Sequence, residues 1–366
     1  MSPTTILRAK VRISEHNTKE ESMFFFLLSS ESTFLRSIGA QTQAEQRMSK
    51  VRLLIHNSQF TIHNFSLFLS HYSLFTFNSS LLILHFPLFI CIFAGKLDFT
   101  LMALSIVNSA KRIEQQFRTG EEPVLVMCSD INIYVCKYMR SSAAAYKLAC
   151  ELIGSRMANA WRLNTPDIAL VRIKPTHWAN INQSHSLSAP SIGSKWLDGV
   201  VDITPSTYAK VPATLETLMQ LMQIALFDFW IANEDRNANN ANLMFDVVHS
   251  QLVSIDYGCI FNTATFDYPL SQLTSTDTIL WSDLFRHLSQ NQEPTAISAL
   301  ANNLKEYYSE SIQGASKLAG QIAEELPNDW NMPQNIINEK LQQLFDNKWI
   351  ADTWDNFTTC INENIK

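Results

Sequence analysis

The fold of this chain is decided by residues 231–261, which read IANEDRNANNANLMFDVVHSQLVSIDYGCIF. Asp235 stands five positions before Asn240, and Asp256-Tyr257-Gly258 lies near the end of the stretch. Asp, Asn and Gly are ordinary turn residues, so any one of them on its own is explained by a tight turn. Their order, and the pattern of the segments between them, indicate more than a turn.

Two short runs inside this stretch predict a β-hairpin. Residues 243–247 and 252–255 are rich in apolar and β-branched side chains and are separated by a polar turn. An antiparallel hairpin returns the chain to the point from which it started. Since Asn240 precedes the first strand and Asp256 follows the second, the sequence predicts that an amide oxygen and a carboxylate lie side by side, close to Asp235.

Asp235, Asn240 and Asp256 carry the oxygen atoms that magnesium-dependent phosphoryl transfer requires. Mg²⁺ binds carboxylate and amide oxygens and completes its shell with phosphate oxygens and water. In kinase catalytic loops a carboxylate at this spacing orients the acceptor hydroxyl, and the amide that follows it binds metal. The sequence therefore predicts Asp235 as the catalytic carboxylate, with Asn240 and Asp256 as metal ligands.

The residues around this stretch predict a mostly helical region over residues 180–366. It begins with a polar connection at residues 180–205. Pro212 then opens a pattern in which apolar side chains recur every three or four positions as far as Trp230, which predicts a buried helix. Residues 281–366 hold several amphipathic helix patterns, and three prolines interrupt them. These prolines are Pro294, Pro327 and Pro333.

Residues 102–179 predict a smaller, β-rich region. The expected elements begin with a helix over 102–118 and a hairpin of strands over 124–128 and 131–138. A helix over 143–160, capped by Ser141 or Ser142, and a strand over 168–173 follow. Hairpin, helix and strand in that order are typical of a kinase small lobe. The predicted fold class is therefore α+β: a bilobal protein-kinase-like fold with a small β-rich lobe, one main helix within it, and a larger, mostly helical lobe.

Three segments carry a resemblance to a known family. Residues 227–236 read FDFWIANEDR, residues 239–243 read NNANL and residues 255–258 read IDYG. The first two resemble the catalytic loop of the HipA-like kinases and, more distantly, that of the phosphatidylinositol 3- and 4-kinases. The third is similar to the metal-binding motif of the HipA-like kinases. Ala241 stands where the HipA-like loop often has proline.

The resemblance covers residues 102–366 and implies a kinase that binds ATP and Mg²⁺ and transfers the γ-phosphoryl group to a hydroxyl. It favours a protein Ser or Thr as the acceptor. Two alternatives stay open. One is a kinase for a lipid or small-molecule hydroxyl. The other is a nucleotide-binding regulatory module with weak catalysis, which would act through a partner protein.

The resemblance also implies a strand lysine that contacts the ATP phosphates and a helix glutamate that holds it. Lys137 and Glu151 match those positions, and Lys147, on the helix, is the alternative lysine. A carboxylate from a neighbouring helix fixes a mobile ammonium group against the phosphates. Arg236, beside Asp235, is predicted to belong to the catalytic group in an orienting role, with a structural ion pair as the alternative.

Phosphate and adenine contacts are harder to predict, because the sequence contains no G-x-G-x-x-G. The hairpin turn before Lys137 offers Ser129, Asp130 and Asn132, whose turn conformations favour contacts of backbone amides with phosphate. Backbone groups at residues 172–174 are expected to line the adenine pocket.

Composition argues against several classes of protein. The net charge is −6 and no basic run exceeds a pair of residues, so nucleic-acid binding is not expected. The six cysteines form no C-x-x-C pair and no regular spacing with histidine, which argues against a zinc site or a disulfide framework. A reducing, cytoplasmic location is the expectation that follows.

Residues 1–101 differ in composition from the rest. Thirteen of the 22 Phe lie before residue 100, whereas all eight Trp lie after residue 160. Residues 53–95 contain no Asp, Glu, Lys or Arg, and membrane association is expected only through them. Their most apolar run, residues 81–94, is shorter than the ~20 residues of a spanning helix. Three interpretations stay open: a weak membrane anchor, a poorly ordered leader, or upstream sequence included before the true start.

Overall fold

The structure is a computed structural model that describes residues 6–8, 25–27, 103–178 and 188–365. The chain divides into two compact units, Met1–Leu97 and Asp98–Lys366. In the first unit, strands β1 (Ile6–Arg8) and β2 (Phe25–Leu27) pair antiparallel. The apolar run at residues 81–94, which carried the membrane interpretation, lies outside the described residues. Within the described ranges, no helix is both long and apolar enough to cross a membrane.

A six-stranded sheet forms the first part of the second unit. Its strands are β3 (Ser105–Asn108), β4 (Gln115–Gln116), β5 (Val124–Met127), β6 (Ile133–Lys137), β7 (Ile168–Arg172) and β8 (Ser191–Lys195). Their spatial order is β3-β7-β8-β6-β5-β4. Strands β3 and β7 are parallel, and every other neighbouring pair is antiparallel. Buried valines of β5 and β7 pack with Trp178 in a small apolar core.

The predicted hairpin of β5 and β6 and the predicted strand at β7 are confirmed, but the helix predicted over residues 102–118 is wrong. That segment forms β3 and β4 instead. Val107 is buried whereas its neighbour Ile106 is 60% exposed, which is the alternation of a strand. Pairing with β7 supplies the hydrogen bonds of β3, and the local spacing of apolar residues does not reveal this long-range contact.

Helix α1 (Ala144–Ala160) follows β6, as the sequence predicts, and packs against β8 and against helices of the larger part. Its N-terminus has no side-chain cap, so the predicted capping by Ser141 or Ser142 is wrong. The backbone carbonyls of these serines accept the hydrogen bonds there instead. Gly154 permits a close approach, because a Cβ at this position would lie 2.3 Å from the Cβ of Tyr257. The helix thereby packs directly on the Asp-Tyr-Gly segment.

Strand β8 belongs to the sheet although it follows the predicted lobe boundary between residues 179 and 180. It pairs with both β6 and β7. The connection predicted over residues 180–205 therefore holds β8 and then β9 (Val200–Asp202), while residues 179–187 lie outside the described residues. Because β9 pairs in a different sheet, the chain leaves the six-stranded sheet after Lys195.

The second predicted hairpin is confirmed by β10 (Leu243–Asp246) and β11 (Gln251–Ser254), which pair antiparallel. Strand β9 adds to the outer side of β10, so the sheet has the order β11-β10-β9. Ile255 N donates to Asn242 O at 3.1 Å and closes the base of this hairpin. The residues on either side of the hairpin are therefore adjacent, as the sequence predicts.

Helices make up most of the larger part. They are α2 (Leu215–Ile231), α3 (Asp283–Ser289), α4 (Pro294–Glu324), α5 (Gln334–Leu344) and α6 (Asn347–Asn364). Helix α2 is the buried helix predicted after Pro212, and Thr214 Oγ1 caps it by accepting from Thr217 N at 3.1 Å. The chain thus has the predicted α+β class, with a small sheet-rich part around one main helix and a larger, mostly helical part.

Candidate active site

Lys137, the last residue of β6, is held by three carboxylates. Its Nζ lies 2.7 Å from Asp256 Oδ1, 2.8 Å from Glu151 Oε2 and 3.0 Å from Glu121 Oε2. Glu151 belongs to α1, Asp256 follows β11, and Glu121 lies in the loop between β4 and β5. The structure brings Lys137 and Glu151 together as the sequence predicts. Glu121 is a partner that the sequence reasoning missed.

Glu151 is buried and links α1 to the Asp-Tyr-Gly segment. Its Oε2 accepts hydrogen bonds from Lys137 Nζ and, at 3.1 Å, from Tyr257 N. Burial raises the pKa of Glu151 to about 7, and the charge of Lys137 opposes this shift. Burial also lowers the pKa of Lys137, but the surrounding carboxylates outweigh it and hold that pKa well above the usual value. The ammonium group is therefore charged at neutral pH.

Asp256 has a left-handed backbone conformation with φ of 59°, which Asp and Asn adopt more readily than most residues. Its Oδ1 accepts hydrogen bonds from Lys137 Nζ at 2.7 Å and from Gly258 N at 3.3 Å. Burial raises the pKa of Asp256, but the charge of Lys137 and these hydrogen bonds outweigh it, so the pKa lies below its usual value. Both contacts use Oδ1, which leaves Oδ2 for another ligand.

The carboxylate of Asp235 is fixed by two amides of its own loop. Asn240 Nδ2 donates to Asp235 Oδ2 at 3.0 Å, and Asn242 Nδ2 donates to the same oxygen at 2.8 Å. The other oxygen, Oδ1, is thereby left for a further partner. Asn242 was missed from the sequence. Its backbone is left-handed, with φ of 45°, a conformation that Asn adopts more readily than most residues.

Asn240 and Asp256 fit a magnesium ion by their chemistry. Because Asn240 donates through Nδ2, its amide oxygen is the atom left to bind a cation. An amide oxygen and a carboxylate oxygen are ligands that suit Mg²⁺, which keeps phosphate oxygens and waters as its other ligands. In the described part of the chain no three His, Cys, Asp or Glu side chains form a metal site by themselves. A metal bound here therefore needs ligands from a substrate or solvent.

A cavity of about 220 Å³ gathers several of these side chains. Its lining residues are Thr119, Gly120, Glu121, Pro123, Lys137, Lys147, Asp235, Asp256 and Cys259. Three predicted site residues, Lys137, Asp235 and Asp256, thus share one cavity. A larger cavity of about 380 Å³ between Pro269 and Trp349 includes none of the predicted site residues in its lining.

The loop that adjoins Lys137 connects β4 to β5 and spans residues 117–123. The turn predicted to contact phosphate adjoins Ile133, at the far end of β6 from Lys137. Its Asp130 carboxylate instead accepts a hydrogen bond from Tyr134 Oη at 2.7 Å. The phosphate contacts at Ser129, Asp130 and Asn132 stay a prediction, but their turn lies away from Lys137. The sequence did not predict that residues 117–123 adjoin Lys137, because β4, which leads into them, was predicted to be part of a helix.

The adenine contacts predicted at residues 172–174 stay a prediction, although some of the backbone groups there already have partners. Arg172 O accepts from Ser109 N at 3.0 Å, and Lys174 N donates to Ser109 Oγ at 2.9 Å. These two backbone groups join the ends of β7 and β3 and are therefore already used within the sheet-rich part.

Arg236 is buried and forms an ion pair, while its predicted orienting role near Asp235 stays a prediction. Its side chain is fully buried, and Nε donates to Asp228 Oδ2 at 2.8 Å. Nη1 donates to Asn242 O and, at 3.2 Å, to Ile255 O. Arg236 therefore ties α2 to both sides of the hairpin and holds the loop that carries Asp235. The ion pair that the sequence left as an alternative is present.

Glu234, beside Asp235, holds a left-handed turn in the segment after the hairpin. Residues 261–264 all have φ between 51° and 61°. A run of non-glycine residues in this region is strained. Glu234 stabilises the turn, because its carboxylate accepts from Asn262 Nδ2 at 2.7 Å and from Thr263 Oγ1 at 2.9 Å. The segment that follows Asp256 is thereby fixed to the loop that carries Asp235.

Comparisons with known proteins agree with this geometry at the level of the family. A family model described as HipA-like kinase matches residues 110–358. No curated protein matches the sequence.

Three solved structures are among those found to be similar. The proinflammatory kinase CtkA of Helicobacter pylori is 13% identical, with 70% of this chain and 99% of CtkA covered and a TM-score of 0.42. HipA of the Shewanella oneidensis MR-1 toxin–antitoxin system, solved with HipB and its operator DNA, is 13% identical and has a TM-score of 0.23. The match covers 64% of this chain and 57% of the HipA structure's chain. A CtTel1 dimer is 11% identical and has a TM-score of 0.26. The match covers 66% of this chain and 12% of the CtTel1 chain.

Proposed function

The chain belongs to the HipA-like kinase family, and from that premise we propose that it transfers the γ-phosphoryl group of ATP to a protein Ser or Thr hydroxyl. The observation that carries the proposal is the position of Lys137. Its ammonium group lies within 3 Å of carboxylates from α1 and from the end of the hairpin, in the same cavity as Asp235. This arrangement supports the proposal, because Lys137 would bind phosphate, Asp256 would bind metal and Asp235 would act on the acceptor hydroxyl.

In the proposed reaction each residue has a separate task. Lys137, oriented by Glu151, binds phosphate oxygens of ATP, while Asn240 and Asp256 would hold Mg²⁺. The metal, when bound, neutralises negative charge on the phosphates. Asp235 accepts two amide hydrogen bonds through Oδ2, so Oδ1 is left to orient the acceptor hydroxyl and take its proton. Positioning and charge neutralisation supply most of the rate enhancement in such a site.

The acceptor is tested by offering several classes at once. We expect the full chain with Mg²⁺ and γ-labelled ATP to label itself or proteins of a cell lysate on Ser or Thr, as identified by phosphoamino-acid analysis. Lipid vesicles and small polyols serve as the alternative acceptors. Asp235→Asn is the matched inactive variant, because it keeps the size of the side chain and removes its basicity.

The result that contradicts the proposed kinase is clear. ATP that binds with no phosphoryl transfer to any acceptor would favour a nucleotide-binding regulatory module. Label found only in lipid or polyol would retain the kinase and reject the protein acceptor.

Lys137 and Glu151 are expected to act as one unit. Lys137→Met should weaken Mg-ATP binding or turnover by roughly a hundredfold, and Glu151→Gln by less, because the glutamate acts through the lysine. The double variant should therefore be hardly worse than Lys137→Met alone. The test is to measure kcat and KM for the unmodified protein, the two single variants and the double variant. Lys111→Met is the control, because Lys111 is an exposed lysine paired with Glu114 at 2.7 Å. Strictly additive effects would mean that the two side chains act independently.

A further inference from the structure

Glu121 lies between two lysines in the candidate active site. Its Oε2 is 3.0 Å from Lys137 Nζ, and its Oε1 is 3.3 Å from Lys147 Nζ. Each carboxylate oxygen therefore contacts a different ammonium group. Two cations that converge on one anion define a position where negative charge is favourable. A polyphosphate is another anion that suits this position, since it presents several oxygens to separate cations.

The three carboxylates around Lys137 compete with phosphate for its donors. A lysine ammonium has three N–H donors, and three carboxylates lie within 3.0 Å of it. A phosphate oxygen can bind Lys137 closely only when one of the carboxylates withdraws. Glu151 cannot withdraw easily, because it is buried and also accepts from Tyr257 N. Asp256 is held by Gly258 N as well as by Lys137.

Glu121 is the carboxylate that can leave. Its two ion pairs are both with lysine ammonium groups, and within the described residues no backbone amide donates to it, in contrast to Glu151 and Asp256. The exposed fraction of the side chain does not separate Glu121 from Asp256, since the two values are 31% and 38%. The loop that carries it is anchored separately on Arg140, whose Nη1 donates to Gly120 O at 3.0 Å and whose Nη2 pairs with Glu122 at 2.9 Å. The Glu121 side chain can therefore swing away from the lysines while the backbone of its loop stays in place.

The balance of charge also favours removal of Glu121. The cavity brings the carboxylates of Glu121, Asp235 and Asp256 together with Lys137 and Lys147. Three negative side chains face two positive ones, so a polyphosphate meets repulsion even before it replaces a ligand of Lys137. Glu121 adds to this repulsion, and no hydrogen bond to a backbone amide fixes it in the described residues.

We propose that nucleotide phosphates replace the Glu121 carboxylate between Lys137 and Lys147, so that Lys147 is a second phosphate-binding residue and Glu121 limits the affinity for nucleotide. The inference rests on the proposed function, because it names how the same site recognises the phosphates of ATP. It assigns Lys147 a role beside Lys137, whereas the sequence offered Lys147 only as the alternative to it.

Neutralising each residue should shift nucleotide affinity in opposite directions. We expect Glu121→Gln to tighten Mg-ATP binding by roughly fivefold and Lys147→Gln to weaken it by a similar factor, the scale of one partly exposed charge contact. Adenosine, which lacks phosphate, should bind both variants as it binds the unmodified protein. The measurement is calorimetric titration of the full chain at low and at moderate salt, and the shifts should shrink as salt increases.

Matched controls separate these effects from a general change of charge. Glu114→Gln removes the same charge at an exposed position outside the cavity, where the side chain pairs with Lys111 at 2.7 Å. Lys111→Gln removes a lysine charge from an exposed i,i+3 pair. Both controls should bind Mg-ATP normally. Thermal unfolding of every variant shows whether any change in affinity comes from loss of structure.

The outcomes distinguish this inference from the proposed function. Unchanged or weaker Mg-ATP binding by Glu121→Gln, with normal binding by the unmodified protein, overturns the inference and leaves the kinase proposal standing. Nucleotide binding detected only after Glu121→Gln supports the inference strongly. No Mg-ATP binding by either protein overturns both. If Lys147→Gln weakens adenosine and Mg-ATP equally, Lys147 supports the pocket as a whole and is not a phosphate ligand.

Discussion

Asp256→Asn is expected to lower magnesium-dependent phosphoryl transfer by roughly a hundred- to a thousandfold while the fold stays intact. The substitution keeps the size of the side chain and suits the left-handed backbone at φ of 59°. It removes the negative charge that lies 2.7 Å from Lys137 and that would offset the charge of a bound metal. The measurement is the initial rate of label transfer from ATP by the full chain, with the thermal unfolding midpoint recorded in parallel.

Two further variants make this result specific. Asp235→Asn should also lose transfer but retain most of its Mg-ATP affinity, because Asp235 is proposed to contact the acceptor. Asp267→Asn, at an exposed position outside the site, should keep both binding and transfer. Near-normal turnover by Asp256→Asn would reject Asp256 as a metal ligand and, with it, the proposed mechanism at its centre.

Arg236→Met is expected to lower the free energy of unfolding by about 3–5 kcal/mol, because it removes one partner of a fully buried ion pair. Asp228, 1% exposed, would keep its hydrogen bond from Asn233 Nδ2 at 2.8 Å but lose the guanidinium group. The carbonyls of Asn242 and Ile255 would lose a donor as well. Urea titration, with extrapolation to water, measures the change.

The ion pair can be separated from general packing by a double variant. Asp228→Asn combined with Arg236→Met leaves no uncompensated charge, so it should be more stable than Arg236→Met alone. As a control, Arg286→Met breaks an exposed pair with Asp283 and should change the free energy of unfolding by about 0–1 kcal/mol. An effect of Arg236→Met no larger than that of Arg286→Met would mean that the buried pair does not hold the loop.

The sequence by itself determined the elements whose signals are local. The hairpin of β10 and β11, the helix α2 before it and the order of Asp235, Asn240 and Asp256 all lie within about 45 consecutive residues. A hairpin requires its two flanks to be adjacent. For that reason the amino-acid order alone predicts that the residues flanking the hairpin lie together. The pairing of Lys137 with Glu151 came from the resemblance to the HipA-like kinases.

The tertiary structure decided what depends on contacts between distant segments. Strand β3 was predicted to be a helix because its partner, β7, lies about 60 residues later. The local spacing of apolar residues does not reveal a pairing between such distant segments. That mistake hid β4, and with it the loop that places Glu121 beside Lys137. The sheet extends past the predicted lobe boundary for the same reason, since β8 joins the sheet only through β6 and β7.

Burial was the other property that only the tertiary structure could decide. Arg236 stands next to Asp235 in the sequence, yet one side chain is enclosed by α2 and the hairpin while the other lines a cavity. Residue type and order do not distinguish these two environments, because an arginine beside a catalytic carboxylate is compatible with either. Gly154 packs against Tyr257, and α2 packs beneath the loop that carries Asp235. This packing determines which charged side chains are removed from water and which stay accessible. Sequence order therefore determined which residues are candidates for chemistry, and long-range packing decided which of them face the cavity.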